Sequence, residues 1–121
     1  MSEGSIDDKV LAQLLETVGG DESFVAELVE TYLTDSPGLF EGMRGGLATD
    51  DRVALRRAAH TLKSTSASVG ALALSTACRE IETGSPEGDP AWLEGRIEAA
   101  AAEYVRAEAA LRAWLAGQAG R

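Results

Sequence analysis

The chain contains a single histidine, His60, and Lys63 follows it by three residues. Near pH 7 most of an imidazole side chain is neutral, and its free nitrogen is a nucleophile that can attack phosphorus without other catalytic machinery. Phosphoryl transfer depends mainly on positioning and on stabilising the charge of the equatorial oxygens. A lysine one helical turn from the histidine can supply that charge. The pair therefore predicts phosphoryl transfer, with His60 as the acceptor and Lys63 as the charge-stabilising residue.

Basic side chains are concentrated around His60. The net charge is −9 at pH 7, yet residues 52–79 carry five basic side chains and no acidic one. These residues are Arg52, Arg56, Arg57, Lys63 and Arg79. The overall acidity argues against nucleic acid, because binding it requires cations against the phosphate backbone. The basic segment instead predicts a positive surface beside the histidine, although Arg56 and Arg57 could each pair with an acidic residue of the second helix.

Other kinds of site have weaker support. One histidine and one distant cysteine, Cys78, are a poor start for a metal site. The chain has no glycine-rich phosphate loop, so we expect no cofactor and no phosphorylation from ATP by the chain itself. Carboxylate pairs for hydrolysis remain open in so acidic a chain, but no spacing singles one out.

The composition predicts one soluble, all-α domain. At 121 residues the chain is long enough for a single core, which we place at about residues 5–116 of a domain spanning 1–121. Aromatic residues make up only 5% of the chain, whereas alanine and leucine are abundant, as in helices packed through aliphatic side chains. Cys78 has no partner for an internal disulfide, and no signal peptide or stretch of roughly 20 apolar residues is present. We expect a cytoplasmic monomer, and Met1 with the compact length favours a stand-alone protein.

Apolar spacing and capping residues predict the helices. The first runs from about 5 to 18, with Ser5 and Asp8 as a capping box, and ends at Gly19-Gly20. A second starts after Asp21 and is kinked or broken at Pro37. The third spans about 51–68 and the fourth about 71–83. Asp89 caps a fifth helix that runs to about 116. Apolar side chains available for the core or for packing against it include Phe24, Tyr32, Leu72, Leu74, Cys78, Ile81, Trp92, Ile97, Val105, Leu111 and Trp114.

Antiparallel helices with short connections pack most simply as an up-and-down bundle. In the third helix Leu55, Leu62 and Val69 form an apolar stripe that should face the core. His60 lies two residues before Leu62, about 200° around the helix at roughly 100° per residue, so it points to solvent. Its own face is shared by residues at helical spacing from it, namely Arg56, Lys63, Ser64 and Ala67.

The segment from His60 to Ser64, with Leu62 and Lys63, resembles the signature of histidine-containing phosphotransfer domains. In that family a His-x-Leu-Lys-Gly/Ser string precedes small residues and a Gly-Ala, here Ser66 to Ala71; Ser64 stands where glycine is common. The resemblance implies an antiparallel four-helix bundle with a short additional N-terminal helix. It also implies that His60 is the phospho-acceptor, that Lys63 neutralises the phosphoryl group, and that Gly70 ends the helix with close packing.

The resulting hypothesis is a phosphorelay intermediate of two-component signalling. His60 would accept a phosphoryl group from a receiver-domain aspartate, with Mg²⁺ on the receiver, and pass it to another receiver. Receiver domains or a hybrid histidine kinase would be the partners, and no membrane would be involved. The expected partner-binding residues are Arg56, Arg57, Ser64, Ala67, Ser68 and Gly70. The alternative is a helical docking module that binds a receiver or kinase through the same face without being phosphorylated; a hydrolase is a more distant possibility.

Overall fold

The computed structural model describes residues 6–119, which form five α-helices. These are α1 (Asp8–Thr17), α2 (Glu22–Ala48), α3 (Arg52–Ser68), α4 (Leu72–Gly84) and α5 (Pro90–Ala119). Helices α2 to α5 form a ring in which each packs against the next and α5 returns to α2, while α1 packs on α2. The short connections make successive helices antiparallel. The predicted all-α, up-and-down four-helix bundle with a short N-terminal helix is confirmed.

Aspartate side chains cap the N-termini of four helices: Asp7, Asp21, Asp51 and Asp89. Each accepts backbone N–H groups that have no partner within the helix, which favours starting the helix at that point. The predicted cap Ser5 lies outside the described residues, and α1 begins at Asp8. No helix in the described range is long and apolar enough to cross a membrane.

Of the two outcomes expected at Pro37, a kink or a break into two helices, the break does not occur, because α2 runs from Glu22 to Ala48 through the proline. Proline has no N–H, and the carbonyl oxygen of Leu33, four residues earlier, therefore lacks its usual donor. The buried Tyr104 hydroxyl of α5 donates to that oxygen at 3.4 Å. Nearby, the Tyr32 hydroxyl lies 2.8 Å from Ser66 Oγ. These bonds tie α2 to α5 and to α3, and they satisfy polar groups inside the bundle.

Four of the apolar side chains available for the core or for packing are exposed: Phe24, Leu72, Trp92 and Val105. On α5 the buried stripe is Leu93, Ile97, Ala100, Tyr104, Ala107 and Leu111. These positions follow a spacing of three or four residues, and Trp92 is one residue off it, about 100° around the helix. Its ring covers Gly84, where an added Cβ would lie 2.5 Å from the indole. The rotation of α5 about its own axis thus turns its small and aliphatic residues into the core, and not Trp92.

The turn between α3 and α4 is closed at Gly70. This residue has φ +82°, a left-handed conformation that side chains other than glycine rarely adopt. Its carbonyl accepts the N–H of Asp7 at 2.8 Å, and an added Cβ would lie 2.7 Å from the Asp7 carbonyl oxygen. The start of α1 therefore sits directly on the turn, and the turn sets how α3 and α4 align.

We predict that Gly70→Ala lowers the free energy of unfolding by at least about 2 kcal/mol, because it adds left-handed strain and a backbone clash. Gly38→Ala is the matched control, since that helical glycine has nothing within 4 Å of an added Cβ. It should leave stability unchanged or raise it by up to about 1 kcal/mol. Urea denaturation followed by circular dichroism measures both, and equal effects of the two substitutions would contradict the packing described.

Candidate functional site

His60 lies on the outer face of α3. The inner face of this helix buries Leu55, Ala59, Leu62 and Ser66, and the His60 side chain remains 58% exposed. The imidazole is therefore open to a partner while its backbone is held by a packed helix, as the helical projection predicts.

A carboxylate from the neighbouring helix holds both functional side chains. Glu82 of α4 places Oε2 at 2.8 Å from His60 Nδ1 and Oε1 at 2.7 Å from Lys63 Nζ. The two oxygens of one carboxylate thus bring the imidazole and the ammonium side by side. A further hydrogen bond joins the two helices, because Ser75 Oγ of α4 donates to the Lys63 carbonyl of α3 at 2.9 Å. It fixes the alignment of α4 against α3.

The electrostatics keep Glu82 charged. Its pKa is lowered below the ordinary value, first by the hydrogen bond from Lys63 and then by that from His60, and partial burial opposes the shift without reversing it. An ionised carboxylate only accepts hydrogen bonds, so the proton of the His60–Glu82 bond is on Nδ1. Within the described residues Nε2 has no hydrogen-bond partner, and in a neutral imidazole with its proton on Nδ1 the free lone pair is on Nε2.

Glu82 was absent from the residues singled out by sequence, because it lies just beyond the basic segment and on another helix. A signal exists in the spacing. In an antiparallel helix pair, residues equally far from the turn lie opposite each other, and His60 and Glu82 are each eleven residues from Ala71. This spacing becomes informative only when the turn between α3 and α4 is known to be tight and centred on Ala71.

The expected partner-binding residues fall into two groups. Ser64, Ala67 and Ser68 are exposed along the His60 face. Their side chains are small, so no bulky group covers the surface beside the imidazole. Gly70 does not share that surface, because it is buried beneath the start of α1. Its place is in the packing of the turn, which agrees with the close packing that the motif implies and corrects its assignment as a partner contact.

The arginines divide sharply by location. Five of those in the described residues pair with carboxylates: Arg44, Arg52, Arg96, Arg106 and Arg112. Arg52 also donates to the carbonyls of Ser85 and Gly88, so it secures the loop before α5 and not the surface around the histidine.

Arg56, Arg57 and Arg79 have no ion pair or hydrogen bond to another described side chain, and all three are exposed. The alternative pairing of Arg56 or Arg57 with an acidic residue of α2 is therefore not formed. Arg79 and Lys63 line the same surface depression between α3 and α4. The unpaired guanidinium groups thus border the His60 site.

An apolar groove flanks the site on the side away from Glu82. It has a volume of about 460 Å³ and lies between α2 and α3. Thr61, Thr65 and Ser68 form its α3 wall, and Leu28 and Leu39 contribute from α2. The exposed imidazole therefore has a charged border toward α4 and an apolar one toward α2, an arrangement suited to contact with another protein.

Comparison with known proteins identifies similar chains. Residues 27–116, which include His60, Lys63 and Glu82, match the family model described as Hpt domain. The phosphorelay protein LuxU from Vibrio vulnificus, in strains YJ016 and CMCP6, is 34% identical over 84 residues, which are 69% of this chain and 71% of each relative.

Solved structures agree in fold. Histidine-containing phosphotransfer protein B (HptB) from Pseudomonas aeruginosa PAO1 has a TM-score of 0.83 at 28% identity, over 91% of this chain and 93% of its own. The HPT domain of a sensor hybrid histidine kinase from Shewanella has a TM-score of 0.75 at 19% identity, over 94% and 96% of the two chains. The second likeness concerns the fold alone.

We predict that the Glu82 bridge contributes to stability in a pH-dependent way. Because folding lowers the pKa of Glu82, its contribution is fully present above the ordinary value of 4.5 and is lost as the pH falls through the lower folded-state pKa. Glu82→Gln should lower the free energy of unfolding at pH 7 by up to about 1 kcal/mol. Urea titrations of both proteins at a series of pH values measure this.

The matched control is Glu80→Gln, which removes a more exposed carboxylate that is 3.5 Å from Arg96. Its effect should be smaller at pH 7. A stability difference between wild type and Glu82→Gln that stays constant down to about pH 3 would contradict the ionic bridge.

Proposed function

The chain belongs to the Hpt domain family of histidine-containing phosphotransfer proteins, and from that premise we propose that His60 is its phospho-acceptor. The protein is a phosphorelay intermediate of two-component signalling. Proteins of this family carry phosphoryl groups and are not kinases, and their partners are receiver domains and hybrid kinases. The observation that supports His60 is its exposed imidazole with Nδ1 engaged by Glu82 and Nε2 free.

The proposed reaction is in-line attack by His60 Nε2 on the phosphorus of a receiver aspartyl phosphate. The N–P bond forms as the P–O bond to the aspartate breaks, and that electron pair remains on the aspartate carboxylate. The receiver supplies the aspartate and its Mg²⁺, and this chain needs no cofactor of its own. Reverse transfer to a second receiver completes the relay, and the chain does not phosphorylate itself from ATP.

Lys63 is proposed to neutralise the incoming phosphoryl group. Its ammonium reaches the same carboxylate as the imidazole, so it lies close enough to turn toward a group bound at Nε2. Charge-assisted contacts with phosphoryl oxygens lower the cost of gathering negative charge at the reacting phosphorus.

We name the proposed partner surface the docking face, formed by Arg56, Arg57, Ser64, Ala67, Ser68 and Arg79. Its small side chains allow a partner to approach the imidazole closely, and its unpaired guanidinium groups favour an acidic partner. A receiver site is acidic because it holds Mg²⁺ through carboxylates. The apolar groove between α2 and α3 continues this face and can take an apolar side chain of the receiver.

We also propose that the chain acts as a cytoplasmic monomer. Its most exposed large apolar side chains are spread over four helices: Phe24, Val53, Leu72, Trp92 and Val105. Such scattered residues are normal on a monomer surface. The unpaired, buried Cys78 suits a reducing compartment.

We predict that a phosphorylated receiver labels the wild-type chain on histidine, and that His60→Ala abolishes the label. A panel of ³²P-labelled receivers identifies the one that transfers fastest, and the acid-labile, alkali-stable character of the product identifies phosphohistidine. In the same assay Lys63→Ala should slow transfer by about 10- to 100-fold, the effect expected from losing one charge-assisted contact.

Label retained by folded His60→Ala would overturn the assignment. Receiver binding that survives His60→Gln, with no phosphohistidine on the wild type, would favour the docking module that is never phosphorylated. Circular dichroism of each variant checks that the bundle is intact.

We predict that Arg79→Glu slows transfer from a limiting receiver by about tenfold at low salt, because it replaces attraction at the docking face by repulsion. Arg112→Glu is the matched control, since it changes the net charge equally on α5, diagonally opposite α3. Its effect should be less than about twofold. The second-order rate constants at two salt concentrations measure this, and equal slowing by both variants would remove Arg79 from the docking face.

A further inference from the structure

We propose that the surface depression between α3 and α4 is a subsite for a carboxylate side chain of the docked receiver, and that Arg79 and Thr76 on its α4 wall select among receivers. This inference rests on the proposed docking of a receiver over His60 and specifies the chemistry of that partner. The depression has a volume of about 380 Å³ and is lined by Lys63, Ser64, Ala67, Ser75, Thr76 and Arg79. It begins beside the imidazole, because Lys63 and His60 share the Glu82 carboxylate.

The charges that line this depression are all positive. None of its lining residues is acidic, although the chain has 20 acidic residues and a net charge of −9. Arg79 is exposed and forms no ion pair or hydrogen bond with another described side chain. Its neighbour Glu80 is paired with Arg96 of α5 instead. A guanidinium that stays unpaired in so acidic a chain is available to a carboxylate of another molecule.

Hydroxyl groups add donors on both walls of the depression. The Ser75 hydroxyl donates to the Lys63 carbonyl at 2.9 Å, so its proton is already used. The hydroxyls of Ser64 and Thr76 have no hydrogen-bond partner among the described residues, and both residues are exposed. The Lys63 ammonium keeps donors beyond its one ion pair, and the Arg79 guanidinium keeps all of its own. Donors from α3 and from α4 therefore converge on the same space.

The exposure of these donors favours a carboxylate brought by a partner over a free anion. An exposed ion pair contributes little in water, because solvent competes for both charges. A receiver docked over His60 covers the depression, and a charged pair becomes stronger where docking excludes that solvent. The parallel N–H groups of a guanidinium also match the two oxygens of a carboxylate. The occupant is therefore an aspartate or glutamate on the receiver surface that faces α4.

The place of the depression makes it a selective contact. In the proposed relay every receiver presents an aspartyl phosphate to His60, so contacts at the reacting group do not distinguish one receiver from another. Contacts around that group do, because receivers differ there. A receiver with a carboxylate facing Arg79 is attracted, whereas one with a lysine or arginine at that place is repelled. Arg56 and Arg57 lie toward the start of α3 and do not line the depression.

The opposite flank of α3 carries the opposite charge. Asp35 of α2 is exposed, lines the apolar groove and forms no ion pair with another described side chain. The in-line reaction alone leaves a receiver free to turn about the axis through His60 Nε2 and the phosphorus. A receiver turned by half a rotation places its carboxylate against Asp35 and not against Arg79. The two flanks thus favour one orientation of the docked receiver.

Receiver binding tests the subsite without any phosphoryl transfer. From a panel of unphosphorylated receivers, the one that binds the wild-type chain most tightly is titrated calorimetrically in about 0.5 M NaCl, where distant charges are screened. Arg79→Gln should weaken binding by about tenfold and Thr76→Val by about threefold, through the loss of a charge-assisted and of a neutral hydrogen bond. Arg106→Gln, which removes a paired arginine of α5, is the matched control and should change binding by less than about twofold.

A charge exchange identifies the carboxylate. Each aspartate and glutamate on the surface of that receiver, outside its Mg²⁺ site, is replaced in turn by lysine and combined with Arg79→Glu. One combination should bind at least about tenfold more tightly than the two separate effects predict, as contacting charges do. If no receiver carboxylate shows such coupling, the proposal is wrong even where Arg79→Gln weakens binding by itself.

The remaining outcomes separate this inference from its alternatives. If the occupant were a free anion, inorganic phosphate would saturably shift the ¹⁵N signals of Thr76 and Arg79 in the wild-type chain while no receiver carboxylate coupled, and the proposal would fail. Coupling without phosphohistidine on the wild type would support the subsite and overturn the proposed function. Phosphohistidine without coupling would leave the proposed function standing and remove the subsite. Circular dichroism checks that each variant is folded.

Discussion

The site depends on one interaction across two helices, the Glu82 carboxylate shared between His60 and Lys63. It holds the imidazole and the ammonium side by side. His60 and Lys63 are neighbours on α3, whereas Glu82 comes from α4. The interaction requires α3 and α4 to align with little tolerance, because a shift of one residue turns a helical side chain by about 100°. That alignment comes from the turn at Gly70, which is held by the start of α1. The short N-terminal helix α1 is far from His60 in sequence, yet through this turn it helps to position the His60 site.

The arginines around His60 differ from those on the rest of the bundle in whether they are paired. An acidic chain with a net charge of −9 has more carboxylates than arginines. Among residues 6–119, the arginines on the other faces of the bundle, Arg44, Arg96, Arg106 and Arg112, each pair with a carboxylate. Around His60, Arg56, Arg57 and Arg79 remain unpaired. These unpaired cations give the proposed docking face its positive charge, and Glu82 is the carboxylate in contact with the imidazole at its centre.

In the proposed relay the reaction is shared between two proteins, which would explain why the bundle can be simple. This chain would offer His60, Lys63 and Glu82, and the receiver would contribute the acyl phosphate and its metal ion. The interior of the bundle is free to serve packing alone, including the Tyr104 hydroxyl that satisfies the carbonyl left without a donor by Pro37. The exposed imidazole, which would be a defect in an enzyme that excludes water, suits the proposed transfer to and from another protein.

Local signals in the sequence determined the helices, the aspartate caps of α2 and α5 and the outward direction of His60, because capping and the 3.6-residue period act within one segment. The motif around His60 also indicated the family, which the matching relatives then showed. Only the tertiary structure decided that Glu82 meets the histidine, that Gly70 is buried under α1, that Trp92 lies outside the core and that α2 continues through Pro37. Each of these depends on how one helix is rotated and aligned against another. An amphipathic pattern identifies the face that is buried, but not the residue on the neighbouring helix that it meets.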